Sequence, residues 1–325
     1  MPLLLPSAVF FLLFTFAPVF ALPQELQFPS EETPQSQQKR LYSAAHPYLN
    51  DLVSELEKAI PDLHGLTPVS SQQDLPGLLD NVGNKTRDLL VQMPNLISRE
   101  EIVQAVHTGT STTNRSREFS YLILLSKTSG SVTMTEYRTD VQNHQIAPSG
   151  EAAEAPAAQG FALTWMYFHP TRRTESQFRY LGQQKVSRHK TYVVAFAQDP
   201  GMVKLPAEIR LRGKSFPMLY QGIAWVDASD FHIVRLRADL LAPQPEAHLQ
   251  KLTMQVEFGE IRVSHVASRL WLPREATVEW LAGDSSSRGL LDLGPATAVS
   301  RGREQHSYSD YHVYEVEVKI NPGSH

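Results

Sequence analysis

Between Gly222 and Leu281 the sequence breaks into four short runs that constrain the fold more than any other feature. They are Gly222-Ile-Ala-Trp-Val-Asp, Phe231-His-Ile-Val-Arg-Leu-Arg-Ala-Asp-Leu, Leu252-Thr-Met-Gln-Val-Glu-Phe and Arg269-Leu-Trp-Leu-Pro. Each is rich in β-branched and aromatic residues, which fit a pleated, half-buried surface. Turn formers separate the first pairs: Asp227, Ser229 and Asp230 at one break, Pro243 and Pro245 at the next. Four such runs at hairpin spacing predict an antiparallel meander. They describe a scaffold and carry no catalytic signature.

The rest of the chain extends that sheet. Glu101–His107 reads as a first strand, and Phe119–Leu125 with Val132–Tyr137 as a hairpin around Ser129-Gly130. Further strand-like runs lie at Ala162–Phe168, Ser176–Leu181, Thr191–Ala197 and Glu208–Arg212, and Tyr311–Ile320 closes the chain. Two helical patterns precede them. Leu49, Leu52, Val53, Leu56 and Ile60 form one stripe of a 3.6-residue period, between Pro47 and Pro61. Leu75, Leu78, Leu79, Val82, Leu89, Leu90 and Met93 form a second over 74–93, with Asp74 as its cap and Gly83-Asn84 as a potential break. Helices followed by a long series of strands imply α+β layering: a large curved antiparallel sheet with the N-terminal helices packed against its concave or open side.

Leu3–Ala21 is apolar and uncharged and ends in Val19-Phe20-Ala21 after Pro18, the pattern of a secretory signal peptide cleaved after Ala21. Its n-region lacks Lys or Arg, and retention as an anchor is the rival reading. Residues 22–40, rich in Pro, Gln, Ser and Glu, read as a disordered tether. Residues 41–96 are the helical segment and 97–325 the β region, with a flexible loop at 141–160. No later stretch is long and apolar enough to span a bilayer, so the expected mature protein is soluble, periplasmic or secreted. The 325 residues hold no cysteine, which excludes disulfides, thiolate metal sites, Cys nucleophiles and a lipobox anchor. A net charge of −4 implies no polyelectrolyte partner and no nucleic acid.

The same runs carry a resemblance. Gly222-Ile-Ala-Trp-Val-Asp, His232-Ile-Val-Arg-Leu and the strand entry at Leu272-Pro273 resemble the bacterial LolA/LolB/RseB-like superfamily of periplasmic lipoprotein carriers and sensors. Upstream, Gly182, Val186 and Tyr192-Val-Val sit as in that group's hairpin, and Tyr308-Ser-Asp-Tyr-His-Val-Tyr-Glu-Val resembles its final strand. The resemblance covers roughly residues 97–320 and describes strands and turns rather than chemistry. It implies an unclosed β-barrel cupping a helix.

Chemical motifs are scarce. None of the 12 histidines forms a zincin pair; His306 and His312, with Asp310 between them, could share one strand face, but a third metal ligand is missing. No Gly-x-Ser-x-Gly elbow, Walker loop or dinucleotide fingerprint is present. Glu257 with Glu260 reads as the wet side of a strand. No catalytic, cofactor or metal residue is assigned. Ten Lys and Arg face three acids between His169 and Lys214, and Arg172, Arg173, Lys185, Arg188 and Lys190 would form an anionic-ligand rim, unless they only blunt sheet edges. Trp165, Phe178, Tyr192, Phe196, Tyr220, Trp225, Phe258 and Trp271 would line an apolar cavity in an unclosed barrel, or fill the core of a closed one. Asn84-Lys-Thr and Asn114-Arg-Ser match the glycosylation acceptor pattern. The resulting expectation is a non-enzymatic binder of a lipid, acyl chain or lipoprotein in the envelope. The alternatives are a stress sensor or scaffold, or a hydrolase assembled from the 141–160 and 283–289 loops.

Overall fold

The computed structural model describes residues 41–141, 161–283 and 299–315, apart from Ala44, Ser129, Gly130, Leu205, Arg212 and Gly213. The expected signal peptide, the tether, most of the 141–160 and 283–289 loops and the end of the closing strand lie outside the described residues. Two helices, α1 (Val53–Ala59) and α2 (Leu75–Gln92), flank β1 (Thr67–Pro68). The remaining strands are β2 (Leu96–Thr108), β3 (Ser111–Thr128), β4 (Ser131–Asp140), β5 (Ser176–Val186), β6 (His189–Gln198), β7 (Ala207–Leu211), β8 (Lys214–Met218), β9 (Tyr220–Asp227), β10 (Ile233–Leu240), β11 (Leu249–Ile261), β12 (Leu270–Ala282) and β13 (Ser300–Val313). Eleven of them form one antiparallel sheet in the order β1-β5-β6-β9-β10-β11-β12-β13-β2-β3-β4, while β7 and β8 pair separately. Among the described residues the edges β1 and β4 do not pair, so the sheet is unclosed.

The meander read from Gly222–Leu281 is β9 to β12. Strand β9 shows why its sequence lacks alternation: all eight of its residues are buried, because both faces of the sheet are covered there. On the inner face, Leu78, Val82 and Leu90 of α2 and Met93 just after it join Tyr180, Val194, Phe196, Ala224 and Leu236 in one core. On the outer face, Leu56, Ile60, Leu63 and Leu66 pack on Leu181, Val193, Ile223 and Trp225. The helices therefore take opposite faces, which corrects the expectation that both lie on the one concave or open side. An amphipathic stripe records that a helix has an apolar partner, not which face of a two-sided sheet supplies it.

Local chemistry sets the helix ends. Ile60 N–H bonds Leu56 O at 2.7 Å and Pro61 stops α1. Leu52, expected in the buried stripe, is the residue before the first turn and is 64% exposed. Helix α2 runs unbroken through Gly83, where a Cβ would meet Phe168 O at 3.1 Å, so the glycine permits close approach rather than a break. At its C-terminus Lys127 donates from Nζ to Val91 O at 2.7 Å and Met93 O at 2.8 Å, satisfying carbonyls that lack intrahelical partners.

Two further expectations change. Ala162–Tyr167 is a 3-10 helix, not a strand, closed by Thr164 Oγ1 donating to Phe161 O at 2.5 Å. A short apolar run has no periodicity long enough to separate the two. The closing strand starts at Ser300 rather than Tyr311 and ends at Val313.

Candidate functional site

The inner face gathers most of the expected aromatic lining. Trp165, Phe178, Tyr192, Phe196, Tyr220 and Phe258 all belong to the α2-side core. The rings interlock. Trp165 lies 5.4 Å from Phe258, Phe168 5.3 Å from Phe178 and 5.8 Å from Phe196, and Tyr167 stacks on Phe196 at 4.7 Å. Trp225 has the opposite strand parity and faces outward, its Nε1 donating to Gln184 Oε1 at 2.7 Å. Trp271 is half-buried, touches both cores and stacks on the His232 ring at 4.7 Å.

The other half of the inner face, on β13, β2, β3 and β4, is ionic. Glu100 is fully buried and accepts from Arg138 (Nε 2.5 Å, Nη2 2.8 Å) and Tyr308 OH (2.7 Å), and bonds His306 Nδ1 (2.9 Å). His306 Nε2 faces Glu304 Oε2 at 3.3 Å, and Gln104 donates to Glu304 Oε1 at 2.7 Å. Glu136 accepts from Tyr121 OH and from Ala162 N at 2.8 Å, tying the 3-10 segment to β4. Burial alone would raise Glu100; the charge of Arg138 and the bonds from His306 and Arg138 outweigh it and bring its pKa down to about 2. Burial, then Glu100, pushes the Tyr308 hydroxyl well above its ordinary value, which keeps it a donor. A carboxylate so saturated is a structural anion rather than a poised acid.

Sequence reasoning did not find this network. Its signal was present: Arg99, Glu100, Glu101 and Gln104 make β2 polar on both faces, and a strand inside a sheet with charges of both parities must bury some of them. His306 and His312, read as sharing a face, do not. A bulge between Ser309 and His312, with Asp310 at φ 54°, reverses the strand parity, leaving His306 buried and His312 exposed. Among the described residues no group of three or more His, Cys, Asp or Glu could hold a metal.

The expected basic rim is divided. Arg172 and Arg173 lie just before β5, paired with Glu175 and Asp80 at 2.9 Å each. Lys185, Arg188 and Lys190 are exposed at the β5–β6 turn. Nine residues of strand, 176–184, roughly 30 Å, separate the two groups. Glu257 and Glu260 are likewise separate, bonded to Arg235 and Arg269. On the outer face a groove of about 480 Å³ is bordered by His189, Glu257, Phe258, Trp271 and Arg274, with His189 Nδ1 held by Asp227.

Fold and site define an α+β protein whose large unclosed antiparallel sheet packs an amphipathic helix on its inner face, the arrangement that the LolA/LolB/RseB-like resemblance implies. No protein-family model and no curated protein matches the sequence. The chain is similar to a solved DUF1329 family protein from Desulfovibrio piger, at 12% identity over 75% of this chain and 94% of that one, with a TM-score of 0.36. It is also similar to a putative outer membrane lipoprotein-sorting protein domain from Vibrio parahaemolyticus (8% identity, 72% and 90% covered, TM-score 0.37). A third similar structure is the lipoprotein LppX of Mycobacterium tuberculosis (12% identity, 75% and 99% covered, TM-score 0.23).

Proposed function

We propose that this chain is an exported, non-enzymatic binder of a lipid, an acyl chain or a lipoprotein in the cell envelope, holding its ligand on the concave face of the sheet. One observation carries the reading: one half of the inner face is a field of large apolar rings covered by the 18-residue α2 and the 3-10 segment. An acyl chain that replaced α2 contacts would gain about 0.8 kcal/mol per buried methylene, enough for useful affinity without any catalytic group. The saturated ionic half supports binding over chemistry, since its carboxylates are engaged by Arg138, His306, Gln104 and Tyr121. Export rests on the uncharged apolar Leu3–Ala21. Among the described residues no helix is long and apolar enough to cross a membrane.

Native mass spectrometry of protein purified from its own host without detergent tests the proposal. Adducts with masses of lipids or acylated peptides are expected. Ligand-free protein alone, with no uptake of fluorescent fatty acids or lipopeptides, would overturn it.

A further inference from the structure

Cross-strand rows run over the inner face from β13 through β2 to β3: Glu304–Gln104–Arg115, then His306–Ile102–Arg117, then Tyr308–Glu100–Phe119. Arg115 and Arg117 therefore stand two residues apart on the same inner face, toward the turn of the β2–β3 hairpin. Strand β4 joins β3 only from Phe119 onward, so among the described residues no strand of the sheet flanks the two arginines on their far side. Both are exposed, and the Arg117 guanidinium lies over the Phe119 ring at 5.7 Å.

Among the described side chains, the acids of this face are engaged elsewhere. On this face Glu304 accepts from Gln104, Glu100 is held by Arg138, His306 and Tyr308, and Glu136 accepts from Tyr121 and the Ala162 amide. Glu118, the arginines' sequence neighbour, points to the opposite face and pairs with Arg99 at 2.6 Å. Among the described residues neither arginine has a carboxylate partner. Alternate strand residues are roughly 7 Å apart, a spacing from which two guanidinium forks can converge on one oxyanion.

We infer that Arg115 and Arg117 form the anion-binding rim of the cup, and that its ligand is an amphiphile with a phosphate or carboxylate head. The head would sit on the two arginines and the apolar part on the aromatic half of the same face. The inference rests on the acyl-binding reading above and names the charge of the ligand. It also moves the rim away from Arg172 and Arg173, whose charges are already matched by Glu175 and Asp80.

The test compares dodecyl phosphate, dodecanol and inorganic phosphate on the full chain by titration calorimetry, with the Arg115→Gln/Arg117→Gln variant and an Arg188→Gln/Lys190→Gln control. The wild type and the control should bind dodecyl phosphate about tenfold more tightly than dodecanol, with a gap that narrows as salt rises. The Arg115/Arg117 variant should bind both equally, its dodecanol affinity unchanged. Equal binding of the two probes by the wild type, or a gap that survives in that variant, overturns the rim alone. Inorganic phosphate binding as tightly as dodecyl phosphate overturns the amphiphile and assigns the rim to a free anion. Failure of both dodecyl probes to bind overturns the acyl-binding reading, and the rim with it.

Discussion

Arg138 in β4 and Glu100 in β2 grip each other over the intervening strand β3, Nε to Oε2 at 2.5 Å and Nη2 to Oε1 at 2.8 Å. The pair ties the edge strand to the sheet interior by side chains as well as by its backbone ladder. Burial alone would make Arg138 easier to deprotonate, and the adjacent Glu100 more than reverses that.

Breaking one side of this pair leaves a buried charge without its partner. Arg138→Met should cost about 3–5 kcal/mol in urea unfolding, and the double change Arg138→Met/Glu100→Leu should recover much of that loss. A single-variant cost below about 1 kcal/mol would show that the pair does not hold the edge strand.

The same site sets an acid limit. Glu100 falls from the ordinary 4.5 to about 2 in the folded protein, so it binds its proton more readily when unfolded. Its contribution is complete above pH 4.5 and is lost as pH falls toward 2, amounting to about 3 kcal/mol. Urea midpoints measured between pH 6 and pH 2.5 should decline more steeply for the wild type than for Glu100→Gln. Parallel declines would rule out this group as the source.

The two faces should respond differently to truncation. Trp225→Ala and Phe196→Ala each remove a fully buried ring and should cost about 3–5 kcal/mol. Only Phe196→Ala should weaken uptake of a fluorescent fatty acid by the folded fraction, because Trp225 faces α1. Equal losses of uptake would contradict a ligand site on the inner face.

Trp280 lies flat across Gly302 in the neighbouring strand, where a Cβ would fall 1.9 Å from the ring. Gly302→Ala should cost about 1–3 kcal/mol and shift the tryptophan near-ultraviolet dichroism, as the ring is driven off its rotamer. An unchanged spectrum with unchanged stability would mean that the strand absorbs the methyl group elsewhere.

Legibility followed the range of the forces involved. The β9–β12 meander was readable because β-branched runs and Asp or Pro turns act within ten residues. Both helix stripes were readable, and Gly83 showed how such a reading overreaches: a helix-weakening residue proved to be a contact residue for Phe168. Ala162–Tyr167 was misread because a six-residue apolar run supports either period.

By itself the sequence determined an antiparallel meander and two amphipathic helices, since period and turn chemistry are local properties. Tertiary structure alone decided that α1 and α2 take opposite faces, and that Trp225 turns away from Phe196. It alone brought Glu100, Arg138 and His306 together from positions up to 206 residues apart. Strand parity, bulges and cross-strand register set those outcomes, and a one-residue shift in any of them would exchange the faces.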